Sequence, residues 1–488
     1  MPLRALFPRP PLSGSKGGLL AQVMAVGLIG GCLIAEAAVL RVGIDDLDEG
    51  YFVQQAVRVL HGQIPYRDFQ TFYTPGLVTL HALMFWALGG QYVLAPRALA
   101  LLARAALAVT LYLLTRPLVH RPLWAAAPSV FLLIGLDDAP ERWEPHPGWL
   151  STLFAVLAAW CLGHRPTTRW LASAGLAAGL AYLFKQNTGV FSLAAILVWG
   201  AIGSHNERAK RVLVPLAAFG LTTLVWLVPL VVVLQGQVSL LVSFVGAVNQ
   251  AGLASAPEPS IAIPLLCVVG GVWMCVSPRS DPRQRWYLLA GLALFCTQYP
   301  RMDTLHLAWS APLLLVVGAV ALDCLRPAVA SFVIVLGAFV LTGSMLSSRV
   351  DLLRQPRAPM ADMRFAADVD VPTATAGSLQ GVVADIQRRT EPGEPIFVYP
   401  TSPLVYALAD RPNPTQFDHL NPGAATPHQI EGVLADLQTP SVRLVVISDY
   451  WRDVWGPPGA NLPLEAWLET HFVEVARYGS YRVLQPGL

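Results

Sequence analysis

Apolar stretches that approach the thickness of a bilayer recur along residues 18–346, and this recurrence constrains the fold more than any other feature. In hydrocarbon a backbone must satisfy its own N–H and C=O groups, so such stretches fold as membrane-crossing helices. We read spans over 18–40, 98–115, 122–136, 149–163, 170–184, 189–204, 212–234, 261–277, 286–299, 307–323 and 328–346. Only 13% of the 488 residues are charged, against about 25% in soluble domains. That leaves too little polar surface to cover a soluble globule. The net charge of +2 gives no reason to expect a nucleic-acid partner.

The first run follows Arg4, Arg9 and Lys16 and exceeds the apolar core of a signal peptide, about 7–15 residues, so it is expected to stay as the first helix. The six cysteines lie scattered in apolar stretches without metal-ligand spacing and are expected to be free thiols.

Loop charge orients the spans. Excess Lys and Arg mark the cytoplasmic side. The basic connections are the N-terminus, Arg116 to Arg121, His164 to Arg169, His205 to Arg211, Ser277 to Arg285 and the turn at Arg326. All six share one side only if the apolar run 76–95 does not fully cross. We therefore expect 76–95 to be interfacial or re-entrant, which puts the N-terminus in the cytoplasm and the C-terminus outside. The fold class is a polytopic α-helical membrane protein with eleven transmembrane helices, outer juxtamembrane helices and a C-terminal extracytoplasmic α/β domain. Its divisions are a cytoplasmic segment 1–17, a transmembrane domain 18–346 with an outer loop 42–96, and the outer domain 350–488. In that last part 378–388 and 429–437 read as helices, 395–399 and 444–447 as short strands, and 472–484 as a hairpin.

The polar residues of interest gather on the outer face. The first outer loop reads Asp45-Asp46-Leu47-Asp48-Glu49-Gly50-Tyr51, followed by His61-Gly62 and Pro65-Tyr66-Arg67-Asp68. From Tyr51 to Leu60 the spacing is helical, with Phe52, Ala56, Val59 and Leu60 on the apolar face, and the helix is expected to lie on the membrane surface. Carboxylates at its start either cap it electrostatically or do chemistry. The second outer loop, Asp137 to His146, is also acidic and reads either as a solvated turn or as part of the same site. Acids of two such loops facing one site could divide the work, one as base and another orienting a hydroxyl or holding a divalent ion.

Only three of the 33 basic residues are lysines, and Lys185 sits at the outer end of a helix. Arg301 and His306 occupy another outer turn, with Asp303 between them as a possible partner for Arg301. Cations there need a partner; a lipid phosphate is the functional choice, and a snorkelling contact with a phospholipid headgroup is the plain one. Glu36, late in the first span, is expected to face the protein interior and is given no catalytic role.

These features together resemble the GT-C superfamily of membrane glycosyltransferases, which use polyprenyl-phosphate sugars, and most of all the branch of protein mannosyltransferases and aminoarabinose transferases. The resemblance rests on Asp48-Glu49-Gly50 after the first span, Gly62, Pro65-Tyr66-Arg67-Asp68, Thr74-Pro75-Gly76, the Lys185 turn and Pro300-Arg301-Met302-Asp303. It implies an inverting transfer of a hexosyl or pentosyl group to an acceptor hydroxyl on a glycan, lipid or protein, outside the plasma (inner) membrane of a cell envelope. It points to Asp48 as general base, with Asp45 and Asp46 as rivals and Glu49 in the same acidic group. The family's second-loop acid falls to Asp138 or Glu144. Tyr66, Arg67, His146, Lys185, Arg301 and His306 are the candidate substrate-binding residues. Many relatives have a Lys where this chain has Thr74, which moves phosphate binding to Lys185 or Arg301. No nucleotide-binding loop is present. No cofactor is certain: paired acids permit a divalent cation, and the base role needs none. The competing readings are a flippase for lipid-linked sugars and a non-catalytic binding protein on the same scaffold.

Overall fold

The computed structural model describes residues 16–90, 93–134, 145–164, 166–203, 205–237, 259–276, 281–299, 301–325, 350–363, 365–420, 425–438, 442–455 and 462–487. The expected span 328–346, and with it Asp138 and Glu144 of the second loop, lie outside these residues.

Among the described residues the helices of the first half are α1 (Lys16–Ala38), α2 (Asp48–Leu60), α3 (Gly76–Leu88), α4 (Leu94–Thr115), α5 (Pro122–Ile134), α6 (Pro147–Leu162), α7 (Thr168–Phe184), α8 (Gln186–Ile202) and α9 (Arg208–Val233). They are followed by α10 (Ala262–Val276), α11 (Pro282–Phe295), α12 (Thr304–Ser310) and α13 (Pro312–Asp323). A helix thus lies in each expected span that falls on described residues, the last, 307–323, being divided between α12 and α13. Three are long and apolar enough to cross a membrane by length and composition: 18–38, 94–118 and 205–233. Among the described residues the other apolar helices are shorter. The bundle interior is filled from α4 to α8 and α11 to α13 by residues such as Leu107, Leu111, Val156, Leu171, Leu313 and Leu314. Glu36 turns inward as expected, paired with Arg104 at 2.8 Å. A buried acid in an apolar helix persists only with such a partner.

Two breaks in the bundle set up the site. Between α7 and α8 only Lys185 is non-helical, with extended φ −148° and ψ 112°. Gly189 permits the close crossing, because a Cβ there would meet the Tyr182 backbone at 2.4 Å. Between α12 and α13 the axis bends by 77°. Pro312 has no N–H to continue the first helix.

The tail contains an antiparallel pair, β1 (Arg357–Pro359) with β2 (Asp370–Pro372), and a four-stranded sheet in the order β3-β4-β6-β5. Those strands are β3 (Phe397–Tyr399), β4 (Val445–Ser448), β5 (Phe472–Tyr478) and β6 (Tyr481–Pro486). The pair β3–β4 is parallel and the other two pairings are antiparallel. Helices α14 (Thr373–Arg389), α15 (Leu404–Ala409) and α16 (Pro427–Leu437) accompany the sheet.

The tail is fastened to the first loop at several points. Gly43 donates its N–H to Asp370 O at 2.9 Å, and Asp370 returns one to Arg41 O at 2.7 Å. Arg58 of α2 donates to Asp418 at 2.9 Å and to Thr415 O at 2.8 Å, with both side chains buried. Gly50 lies against Leu404.

This corrects the expectation of an α2 lying on the membrane surface. Its residues from Glu49 to Arg58 are buried on every side, because α3 covers one face and α15 of the tail another. A Cβ on Gly50 would stand 2.7 Å from both the Cβ and the backbone N of Leu404. Gly50→Ala is therefore expected to loosen the tail against α2, read as faster limited proteolysis of 350–488 with the bundle still intact. Unchanged proteolysis would show that the contact yields without cost.

Candidate active site

Two groups of polar side chains flank α2. The first is acidic. Asp45, not Asp48, caps the helix: its Oδ1 accepts the N–H of Leu47 at 2.9 Å and of Asp48 at 3.3 Å. Burial, then the charges of Asp48 and Asp46, hold the Asp45 carboxyl well above the ordinary range. Asp46 is gripped by the tail. Ser402 Oγ donates to it at 2.6 Å, Trp451 Nε1 at 3.0 Å, and the Tyr481 hydroxyl shares the same oxygen as Ser402. Ser402 is buried with φ 142°, a backbone conformation costly for an L-residue and kept only where its surroundings impose it.

Glu49 was grouped by sequence with the catalytic acids. Its two oxygens accept from Arg97 Nε at 2.6 Å and Nη2 at 2.7 Å, both side chains fully buried. Arg97 in turn donates to Leu40 O and Gly43 O. This geometry is that of a structural bidentate pair.

Asp48 is different. It is partly exposed, and among the described residues no hydrogen bond or ion pair takes up its carboxylate. Its charge is felt by His419 of the tail. The His419 ring stacks on Tyr51 with centroids 4.4 Å apart and planes at 19°, and its Nδ1 lies 2.6 Å from Thr401 Oγ1. Burial holds this imidazole below its ordinary pKa, against the opposing pull of Asp48 and Asp418.

The second group is basic and is organised by Trp309 of α12. His146 lies flat on that indole, centroids 3.7 Å apart at 5°. Lys185 Nζ is 4.7 Å from the ring centroid, within cation–π range. His306 meets the indole at 5.1 Å and 69°. His146 Nδ1 accepts the Gly148 N–H at 2.8 Å, so the ring proton sits on Nε2, which donates to the Tyr73 hydroxyl at 2.8 Å. Burial, then Lys185, His306 and Arg301, keep His146 well below its ordinary pKa and hence neutral.

Arg301 lies 3.4 Å from Asp303. Asp303 caps α12 through the His306 N–H and also holds His306 Nδ1 at 2.7 Å. The two groups are joined through Phe52 of α2, whose ring is 5.4 Å from His146 and 5.7 Å from Tyr73.

The remaining candidates sit at the edge. Tyr66, at φ 70°, donates its hydroxyl to Tyr73 O at 2.8 Å. Arg67 forms an exposed bidentate pair with Asp68 at 2.8 Å. Sequence reasoning missed Tyr73, Trp309 and His419. Only the Trp309 position had a signal, an aromatic one helical turn after His306. No group of three or more His, Cys, Asp or Glu side chains among the described residues is disposed to hold a metal ion.

No protein-family model and no curated protein sequence matches the chain. Solved structures do. ArnT from Cupriavidus metallidurans, bound to undecaprenyl phosphate, superposes with a TM-score of 0.60 at 14% identity, over 96% of this chain and 98% of that one. The Archaeoglobus fulgidus oligosaccharyltransferase in its apo form matches at 0.54 and 11% identity, over 91% of this chain and 72% of its own. Arabinofuranosyltransferase AftD from Mycobacteria matches at 0.55 and 12%, over 98% and 42%. At such identities the likeness speaks for architecture. In architecture, this chain shares the fold of ArnT, of the oligosaccharyltransferase and of the arabinofuranosyltransferase.

Proposed function

We propose that this chain is an inverting glycosyltransferase that moves a sugar from a polyprenyl-phosphate donor to an acceptor hydroxyl on the extracytoplasmic face of the plasma (inner) membrane. The observation that carries the reading is the meeting of Lys185, His146 and His306, from three separate segments, on Trp309, one aromatic ring away from the helix that Asp48 begins. The fold shared with a protein bound to undecaprenyl phosphate supports the class of donor. We further infer eleven spans and a separate outer domain over 350–488.

In this reading Asp48 takes the proton of the acceptor hydroxyl as its oxygen bonds to the anomeric carbon. The bond from that carbon to phosphate breaks, and polyprenyl phosphate leaves with the electron pair. Lys185 is the cation for the leaving phosphate, with Arg301 and His306 beside it. Neutral His146 holds Tyr73 and the indole in place for Lys185.

The test uses purified full-length protein in vesicles, undecaprenyl-phosphate-linked mannose, glucose, arabinose or aminoarabinose as donors, and membranes of cells lacking this chain as acceptor. Transfer that inverts the anomeric centre is expected with at least one donor. No transfer with any, in the presence of intact folded protein, would sink the reading. Lys185→Met is expected to lower transfer by about 10²–10³-fold, the usual cost of one transition-state partner. It should also raise the His146 pKa, because the Lys185 charge now depresses it. Unaltered transfer would remove Lys185 from the phosphate site.

A further inference from the structure

The tail approaches the site at one point where it offers a side chain rather than a fastening. Arg58, Asp46 and Gly50 are each occupied in holding bundle and tail together. His419 is held but not used up. Tyr51 and Phe72 form a stacked column with its ring, at 4.4 Å and 6.4 Å and near-parallel planes. Thr401, fully buried, fixes its Nδ1. Among the described residues its Nε2 has no hydrogen-bond partner, and the ring is partly exposed.

Asp48 lies one helical turn before Tyr51, on which the His419 ring is stacked, so two polar groups without partners among the described residues belong to neighbouring positions. A nitrogen and a carboxylate so placed suit a hydroxylated group that hydrogen-bonds to both. We propose that His419 is an acceptor-positioning residue, with which the tail completes the acceptor subsite by hydrogen-bonding a polar group next to the hydroxyl that Asp48 deprotonates. His419 takes no proton in the step; the proton goes to Asp48, and the sugar–phosphate bond breaks as above. The inference rests on the glycosyltransferase reading and adds to it the source of the acceptor wall.

His419→Phe keeps the stacked ring and removes the nitrogen. His419→Gln removes the ring and keeps an amide donor and acceptor near the Nε2 position. In the vesicle assay, with the same acceptor membranes titrated at saturating donor, His419→Phe is expected to raise the apparent acceptor KM roughly tenfold, the upper range for one uncharged hydrogen bond, with kcat little changed. His419→Gln should recover most of that loss. Wild-type KM in His419→Phe, or a loss in His419→Gln as deep as in His419→Phe, would overturn the proposal in favour of stacking alone.

A second measurement needs no substrate. In full-length protein with ¹⁵N-labelled histidine, Asp48→Asn should lower the His419 pKa, because the Asp48 charge now raises it. An unmoved titration would place His419 outside the reach of Asp48 and overturn the proposal, whatever the assay shows. Failure of the enzyme reading itself looks different: the wild-type protein would then transfer sugar from no donor, while the His419 titration still moved in Asp48→Asn.

Discussion

Asp48→Asn is expected to cut sugar transfer by about 10²–10⁴-fold, the range a general base contributes, with expression, insertion and melting close to wild type. The structure explains why the loss should be confined to chemistry. No donor among the described residues depends on the Asp48 side chain, so the amide orphans nothing. The first turn of α2 keeps its cap, which comes from Asp45. Removing a charge from three crowded carboxylates relieves repulsion, and the Asp45 pKa should move down toward its ordinary value, since Asp48 now helps to raise it. The measurement is kcat for transfer at saturating donor, beside a melting curve in detergent. Asp46→Asn makes a useful contrast, because its carboxylate receives Ser402, Trp451 and Tyr481; that variant should loosen the tail. If Asp48→Asn turned over at the wild-type rate, the base would have to be sought elsewhere.

What could be read beforehand divides along physical lines. Hydropathy located the helices, because a helix that crosses a bilayer needs an apolar surface along its length. Lys185 and His306 stood out in sequence because cations at that depth need partners, and both do meet at one ring. The pairing of Glu49 with Arg97 was hidden. The two residues lie 48 positions apart, and no local pattern tells a capping acid, an ion-paired acid and a free acid from one another. The burial of α2 was equally hidden, since Ala56, Val59 and Leu60 pack into a cluster that α3 and the tail complete, and Phe52 into one with Leu77. His419 gave no signal because its meaning comes from Tyr51 and Asp48, brought to it only by the fold.

Glu49 next to Asp48 offers the sharpest check on that division. Glu49→Gln leaves the Arg97 guanidinium fully buried with backbone acceptors but no counter-charge. Removing one partner from a buried pair costs about 3–5 kcal/mol, so this variant should melt much earlier or fail to accumulate. Arg97→Met should be comparably harmful, because it strands the Glu49 carboxylate away from water. The double variant Glu49→Gln/Arg97→Met should be less destabilised than the sum of the two singles, since no charge is then left alone. The measurement is thermal unfolding of the three variants in one detergent. Any transfer lost should scale with the fraction unfolded and return where the fold returns. A Glu49→Gln protein with wild-type melting and a specific loss of kcat would reverse the assignment. It would make Glu49 part of the chemistry, and the neighbouring acids would then need a new division of labour.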